Sequence, residues 1–270
     1  MAHRNKGEIF IGTSGWVYSH WKEVFYPSKL SSSDYLKFYS RQFNTTEINY
    51  SFYHLPRPAT FQKWYQQTPK GFVFSVKASR FITHIKRLKN VEEAWSQFIE
   101  NALNLKEKLG PILFQFPPSF KADRENIQRL KEFLNLLANY SLSTTHCSLP
   151  TTHYPPLPTH YPLKYAFEFR HKTWIDKKVF DLLKKYNASW VISDSSHYPK
   201  SETTTADFIY IRMHGPGALF ASKYSKQDLK KLAQKIGKYK EQGKDVFVYF
   251  NNDFYGYAID NAKELINLVN

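Results

Sequence analysis

Charged side chains follow a short apolar run in the segment Phe167-Glu168-Phe169-Arg170. Successive side chains of a β-strand point to opposite faces, so Glu168 and Arg170 share one face and the two phenylalanines share the other. A charged face on a core strand is costly unless the charges have partners or a purpose. The pattern therefore predicts a buried strand that carries a carboxylate and a guanidinium to one functional site.

The same arrangement recurs along the chain, where apolar runs end in polar residues that could do chemistry. The predicted site residues at these ends are Ser14, Glu47, Asn49, Lys77, Gln115, Glu168, Arg170, Asp194, Arg212, His214, Asn251 and Asp253, with Trp16, Tyr53, Arg80, His84 and Trp174 in the following loops. Carboxylates and imidazoles transfer protons, guanidinium and ammonium groups bind anions, and aromatic rings stack on bases or sugars. We therefore expect one polar site assembled from many strand ends.

Two carboxylates and one imidazole are the candidate catalytic groups of this site. Glu47 and Glu168 are the candidate general acid or base, and His214 is the candidate imidazole because its charge is sensitive near neutral pH. The other residues are candidate ligand-binding groups. The alternative is an internal ion-pair network, which would join Glu47 to Lys77 and Glu168 to an arginine. The number of charges that converge favours function over this alternative.

Cationic residues outnumber the glutamates in the predicted site. Lys77, Arg80, Arg170 and Arg212 exceed what two carboxylates neutralise, so the site is expected to be electropositive and to suit phosphate or carboxylate groups. A divalent metal held by the acidic residues and His214 is an alternative. It is not favoured, because a cation site needs a surplus of carboxylates. No metal ligand is assigned, and the cofactor is left open.

The elements that must position these residues alternate regularly between strand and helix. Strands are predicted at 8–12, 45–49, 72–77, 112–116, 164–169, 188–193, 208–213 and 245–250, and helices at 35–43, 59–67, 91–109, 123–138, 175–186, 225–242 and 256–269. Helices between consecutive strands force parallel pairing. Eight such units predict a somewhat irregular (β/α)8 TIM-type barrel as one domain over residues 1–270, with a doubly wound open sheet as the alternative.

Residues 141–162 break this rhythm, because they are rich in Pro, Thr and His and show neither the helical nor the strand period. We interpret them as a flexible insertion before the fifth strand. In a barrel the carboxyl ends of the strands form one mouth, where catalytic groups gather. The predicted site residues would therefore meet at that mouth.

Composition and charge limit the partners. The chain of 270 residues has 42% hydrophobic and 23% charged residues and a formal net charge of +15. A basic excess favours phosphorylated small molecules or nucleic acid, although the lysines could also be simply solvated. The single cysteine, Cys147, allows no internal disulfide, and no apolar run approaches the ~20 residues that a membrane helix needs. We expect a cytoplasmic protein without a membrane partner, and the oligomeric state is left open.

Seven motifs of the chain resemble those of one known family. They are Gly12-Thr13-Ser14-Gly15-Trp16, Glu47-Ile48-Asn49, Lys77 with Arg80-Phe81-Ile82-Thr83-His84, Gln115-Phe116-Pro117-Pro118, Phe167-Glu168-Phe169-Arg170, Arg212-Met213-His214-Gly215-Pro216 and Tyr249-Phe250-Asn251-Asn252. In this order and spacing the sequence resembles the domain of unknown function 72 family, the YecE-like proteins. The resemblance implies a TIM-type barrel with a cleft at the strand carboxyl ends and supplies no settled activity. Members have been compared by fold with metal-dependent barrel endonucleases, whose His-rich zinc ligand set is missing here.

These observations predict an electropositive barrel cleft that binds a phosphate-bearing substrate. They also make the protein a candidate hydrolase that processes this substrate. That substrate would be nucleic acid or a sugar or nucleotide phosphate. The alternatives are a nucleic-acid-binding protein without catalysis and a barrel that binds a small carboxylate. Whether the protein is an enzyme is left open.

Overall fold

Helices and parallel strands alternate through the computed structural model of the protein, which describes residues 6–146 and 163–270. The strands are Ile9–Ser14 (β1), Thr45–Ile48 (β2), Val73–Lys77 (β3), Leu109–Gln115 (β4), Tyr165–Glu168 (β5), Ser189–Trp190 (β6), Ile192–Asp194 (β7), Phe208–Met213 (β8) and Asp245–Phe250 (β9). The α-helices are Tyr35–Tyr39 (α1), Tyr50–Tyr53 (α2), Pro58–Gln67 (α3), Glu92–Ala102 (α4), Arg124–His146 (α5), Lys177–Lys185 (α6), Lys226–Glu241 (α7) and Tyr257–Val269 (α8).

The strands form one parallel sheet in the order β6-β5-β4-β3-β2-β1-β9-β8-β7. The first strand therefore lies between the second and the last, as it does in a barrel and not in a doubly wound open sheet. The predicted TIM-type barrel is confirmed, and its helices lie outside the ring of strands.

The sixth predicted strand is divided in two, and this division is the irregular part of the ring. Its first half, β6, pairs with β5, and its second half, β7, pairs with β8. Val191 lies between the halves and donates its backbone N–H to the carbonyl of Phe167 at 3.0 Å. The chain itself thus connects the two edges of the sheet, which gives nine strands at eight barrel positions.

The barrel interior is filled below the mouth by apolar and aromatic side chains. Phe10 and Phe247 stack at 4.7 Å between ring centroids, and Tyr210 and Tyr249 lie together at 5.2 Å. The two phenols contact strand hydroxyls, with Tyr249 2.8 Å from Thr45 Oγ1. The interior is consequently a packed core, and the polar inward positions lie at the carboxyl ends of the strands.

Two predicted boundaries next to β4 are wrong. The helix predicted over 91–109 ends at Ala102 and continues as a 3₁₀ helix, Leu103–Lys108. Gly110 and Pro111 lie inside β4, where the pairing with β3 shifts register. Proline lacks an N–H and is accommodated in strands at such irregularities. The carbonyl of Pro111 accepts a hydrogen bond from Ser75 Oγ at 2.7 Å, which holds this segment against β3.

Helix α5 extends to His146, so the first six residues of the predicted insertion are helical. The Ser and Thr residues there do not end the helix, because neither removes a backbone donor as proline does. The rest of the predicted insertion, residues 147–162, lies outside the described residues. Within 6–146 and 163–270, no helix combines the length and apolar character needed to cross a membrane.

Candidate functional site

A buried guanidinium, that of Arg212 on β8, joins two glutamates at the barrel mouth. Its Nε and Nη2 lie 3.0 and 2.7 Å from the two carboxylate oxygens of Glu47 on β2. Its Nη1 lies 2.5 Å from Oε2 of Glu168 on β5. All three side chains are 1% exposed or less. The mouth is therefore organised around a carboxylate–guanidinium–carboxylate triad.

The rest of the guanidinium is also enclosed by protein groups. Nη2 lies 3.2 Å from Asn251 Oδ1 and 3.3 Å from Ser14 Oγ. Nη1 lies 3.5 Å from His214 Nε2 and packs against it without donating, because that nitrogen faces Glu168 as a donor. A guanidinium enclosed in this way has no face left for a ligand. The predicted role of Arg212 in gripping an anion is wrong, because the two glutamates hold it inside. The ion-pair alternative agrees with the structure for Glu168 and Arg212, but Glu47 pairs with Arg212 and not with Lys77.

Glu47 is surrounded by donors on both oxygens. Ser14 Oγ donates to Oε1, and the Tyr210 hydroxyl donates to Oε2 at 2.7 Å. Burial acts to raise the pKa of Glu47, but Arg212 and Lys77 outweigh it and hold the pKa below its ordinary value. A buried carboxylate kept ionised on all sides is a poor proton acceptor. The geometry therefore favours an organising role for Glu47 over the predicted catalytic one.

Glu168 is bound by three cationic or polar groups. Its Oε1 lies 3.2 Å from Arg170 Nε and 3.3 Å from His214 Nε2, and Arg212 holds the other oxygen. Burial acts to raise the pKa of Glu168, but Arg212 and Arg170 outweigh it and place the pKa well below its usual range. Glu168 thus stays ionised at neutral pH, and it aligns the groups around it.

His214 is completely buried beside this carboxylate. Burial lowers the pKa of His214 by more than its hydrogen bond to Glu168 raises it, so the imidazole is neutral near pH 7. The contact with Glu168 is best made by an Nε2–H donor, which leaves a lone pair on Nδ1. Among the residues that the structure describes, Nδ1 has no hydrogen-bond partner. His214 is consequently a neutral imidazole with an unused acceptor.

Lys77 ends β3 on the inward face and is 8% exposed. Its Nζ lies 4.2 Å from the ring centroid of Phe52, and in the described part of the chain it has no carboxylate within ion-pair distance. Burial and the positive charges of Arg212 and Arg170 lower the pKa of Lys77 to about 7. Glu47 acts in the opposite direction but is outweighed. Lys77 is therefore the group of the mouth that changes charge near neutral pH.

Arg170 follows β5 at the same mouth, where its charge acts on Lys77, and it keeps most of its donors free. Its Nε donates to Glu168, and its guanidinium carbon lies 4.2 Å above the ring of Tyr198. To the described residues its two terminal nitrogens make no hydrogen bond. Tyr198, which sequence reasoning missed, comes from the irregular segment between β7 and β8. It leaves no strand or helix signal by which it could have been found.

Several other predicted site residues gather around this centre. Asn49 donates to Ser14 Oγ at 2.7 Å, and its buried Oδ1 is unpaired within the described chain. Gln115 Nε2 lies 3.4 Å from Nε2 of His84. Burial and the charge of Lys77 lower the pKa of His84 to about 4. Arg80 and Tyr53 are exposed on the rim, and Asp253 lies at the edge of the mouth, where burial raises its pKa.

Two predicted aromatic ligands lie in the core outside the ring of strands. Trp174 is fully buried, stacks on Phe169 at 4.2 Å and donates its indole N–H to the carbonyl of Phe120. Trp16 packs edge-on against Trp64 at 5.3 Å. The predictions for both indoles are wrong, because burying large rings between strands and helices is more favourable than exposing them at the rim.

Asp194 points outward and not into the mouth. Its register partner on β8 is Met213, whereas the preceding Ser193 pairs with the inward Arg212. The Asp194 carboxylate forms an ion pair with Lys200. Ser193 is the residue that sequence reasoning missed, and in the described structure its buried Oγ has no partner. Strict alternation along the divided strand, starting from the outward Trp190, would have identified it.

The place between Glu47 and Glu168 where a cation fits is taken by the guanidinium of Arg212. Across residues 6–146 and 163–270, no three His, Cys, Asp or Glu side chains are grouped to hold a metal ion.

Fold and site together define a TIM-type barrel protein with a charged, buried polar network at the carboxyl ends of its strands. The family model described as "Protein of unknown function DUF72" matches residues 10–270, and the chain belongs to this family. The resemblance noted in the sequence is thus confirmed.

Curated relatives and solved structures agree with this assignment. UPF0759 protein YunF of Bacillus subtilis (strain 168) is 26% identical, and the alignment covers 97% of this chain and 94% of YunF. UPF0759 protein YecE of Escherichia coli (strain K12) is 29% identical over an alignment that covers 51% of this chain and 48% of YecE. A DUF72 family protein from Thermotoga maritima MSB8 is 27% identical, with a TM-score of 0.79 over 97% of this chain and 99% of that one. A DUF72 family protein from Enterococcus faecalis V583 shares the fold. It is 20% identical, with a TM-score of 0.78 over 97% of this chain and 95% of that one.

Proposed function

We propose that the barrel mouth binds a phosphate-bearing small molecule through Lys77 and Arg170. The observation that carries the proposal is that these two cations keep donors unused, whereas Arg212 is consumed by the glutamates. The charge of Arg170 contributes to the low pKa of Lys77, so the two cations repel each other. An anion between them would remove that repulsion, and a guanidinium with two free terminal nitrogens suits phosphate oxygens.

Processing of the bound molecule, including hydrolysis, belongs to the same proposal. Glu47 and Glu168 are held as carboxylates, so proton transfer falls to groups that can change state near neutral pH. Lys77 meets that condition through its pKa of about 7, and His214 offers an unused imidazole nitrogen. These two residues are the groups that we assign to chemistry.

Inorganic phosphate tests the binding step. We expect Lys77→Met and Arg170→Gln each to weaken phosphate binding by about tenfold, since a hydrogen bond to a charged group contributes roughly 1.5–3 kcal/mol. Isothermal titration calorimetry at low salt measures the affinity. Arg129→Gln is the matched control, because Arg129 pairs with Glu125 on helix α5 at the surface. Absent phosphate binding, or equal affinity in all four proteins, would contradict the proposal.

Nucleic acid is a second candidate ligand, and the rim of the mouth favours it. Tyr50, Tyr53, Phe81, Phe254 and Tyr255 are exposed on the connections that follow β2, β3 and β9. Exposed rings beside cations can stack on the bases of a single strand. An oligothymidylate that binds with a steep salt dependence would support this ligand, whereas binding of phosphate alone would favour the small molecule.

A further inference from the structure

Two lysines of the described chain are buried, and their ammonium groups differ in whether they have hydrogen-bond partners. Lys108 donates to the carbonyl oxygens of Tyr65 and Thr68, both at 2.7 Å, and to Thr68 Oγ1 at 3.1 Å. Lys77 faces the ring of Phe52 and makes no hydrogen bond to a described residue. Lys108 is thus a structural ammonium group with its donors satisfied. Lys77 is buried without that compensation, which costs stability unless the amine has a use.

The groups around Lys77 keep it uncompensated. Glu47 on β2 and Glu168 on β5 attract the ammonium, but Arg212 on β8 occupies both carboxylates at closer range. Arg170, two residues after β5, and Arg212 add positive charge to its surroundings. An amine that is buried near other cations loses its proton readily, and the neutral form is a nucleophile. At neutral pH a large fraction of Lys77 is therefore unprotonated.

We propose that Lys77 is a nucleophilic amine that condenses with the aldehyde or ketone carbonyl of a phosphate-bearing substrate to form an imine. The inference rests on the proposed function for the phosphate part of the substrate. The lone pair of Nζ attacks the carbonyl carbon, a C–N bond forms, and the C=O π bond opens to a carbinolamine. The C–O bond then breaks, and the oxygen leaves as water with the two protons lost from nitrogen. No oxidant or further reactant is needed.

The mouth offers suitable surroundings for this condensation. Arg170 lies near enough for its charge to act on Lys77 and would hold the phosphate, which fixes the carbonyl end of the substrate next to Nζ. Phe52, below the amine, excludes water from one side. The network of Glu47, Arg212 and Glu168 joins β2, β8 and β5, and Lys77 ends β3, which pairs with β2. The amine and the anion-binding group are therefore held at a fixed separation.

Reductive methylation tests the amine without involving phosphate. The full chain is treated at pH 6.5 with formaldehyde, the smallest carbonyl compound, and sodium cyanoborohydride, and methylation of each lysine is followed by peptide mass spectrometry. We expect Lys77 to react at least about tenfold faster than the exposed Lys63, because the lowered pKa of Lys77 leaves much of this amine neutral at this pH. Lys77→Arg should remove the fast site, whereas Lys63→Arg should leave its rate unchanged. A Lys77 rate equal to or below that of Lys63 would overturn the inference.

Dihydroxyacetone phosphate and dihydroxyacetone, each with cyanoborohydride, test the substrate class. We expect the phosphorylated ketone to modify Lys77 at about tenfold lower concentration, and inorganic phosphate to compete. Fast methylation with no advantage for the phosphorylated ketone would support the amine and contradict the proposed phosphate site. Phosphate binding together with slow methylation of Lys77 would support the proposed phosphate site and contradict the proposed imine. The two proposals can therefore fail separately.

Discussion

Replacement of Arg212 by methionine should lower the free energy of unfolding by about 3–5 kcal/mol, because it leaves two buried carboxylates without their shared partner. Glu47 and Glu168 are 0% and 1% exposed, so water cannot replace the guanidinium. Arg212 Nη2 also donates to Asn251 Oδ1. Urea denaturation at pH 7 measures the loss.

A matched surface pair separates this effect from the general loss of an arginine. Half-buried Arg129 and exposed Glu125 form an i,i+4 pair on α5, and Arg129→Met should change stability by less than roughly 0.5 kcal/mol. Adding Glu47→Gln and Glu168→Gln to Arg212→Met removes the unpaired charges and should restore part of the lost stability. If Arg212→Met is as mild as Arg129→Met, the triad does not organise the mouth.

Replacement of Lys77 by methionine should instead stabilise the protein, by on the order of 3 kcal/mol at pH 6. The pKa of Lys77 is lowered from 10.5 to about 7 in the folded protein. Below pH 7 the lysine is protonated in both states, and the folded state carries the full cost of a buried ammonium. Between pH 7 and 10.5 only the unfolded chain keeps the proton, so the stability of the parent rises with pH. The gain from methionine is therefore largest below pH 7 and shrinks above it.

Urea denaturation of parent and variant at pH 6, 8 and 10 measures this difference. Lys63→Met is the control, since Lys63 is exposed on α3 and its replacement should give a small difference at each pH. A Lys77→Met protein that is less stable than the parent, or whose gain is the same at all three pH values, would show that Lys77 is paired. A stabilising variant that also loses phosphate affinity would indicate an amine retained for function at the expense of stability.

The sequence by itself determined the barrel and the face on which most of its polar residues lie. Strands separated by helices must pair in parallel, and the period of two within each strand is a local property. These two rules place Glu47, Lys77, Glu168 and Arg212 at one mouth. Applied strictly along the strand that divides at Val191, the same alternation places Ser193, and not Asp194, on the inward face.

Only the tertiary structure decided which charges pair and which rings are exposed. Glu47 and Arg212 are 165 residues apart, and no local pattern shows that Arg212 bridges both glutamates while Lys77 is left without a partner. Trp16 and Trp174 have the same sequence neighbourhood as rim residues, yet packing between strands and helices buries them. Pairing and burial depend on distances across the whole barrel and on the desolvation that those distances impose. Residue type and spacing along the chain do not contain either quantity.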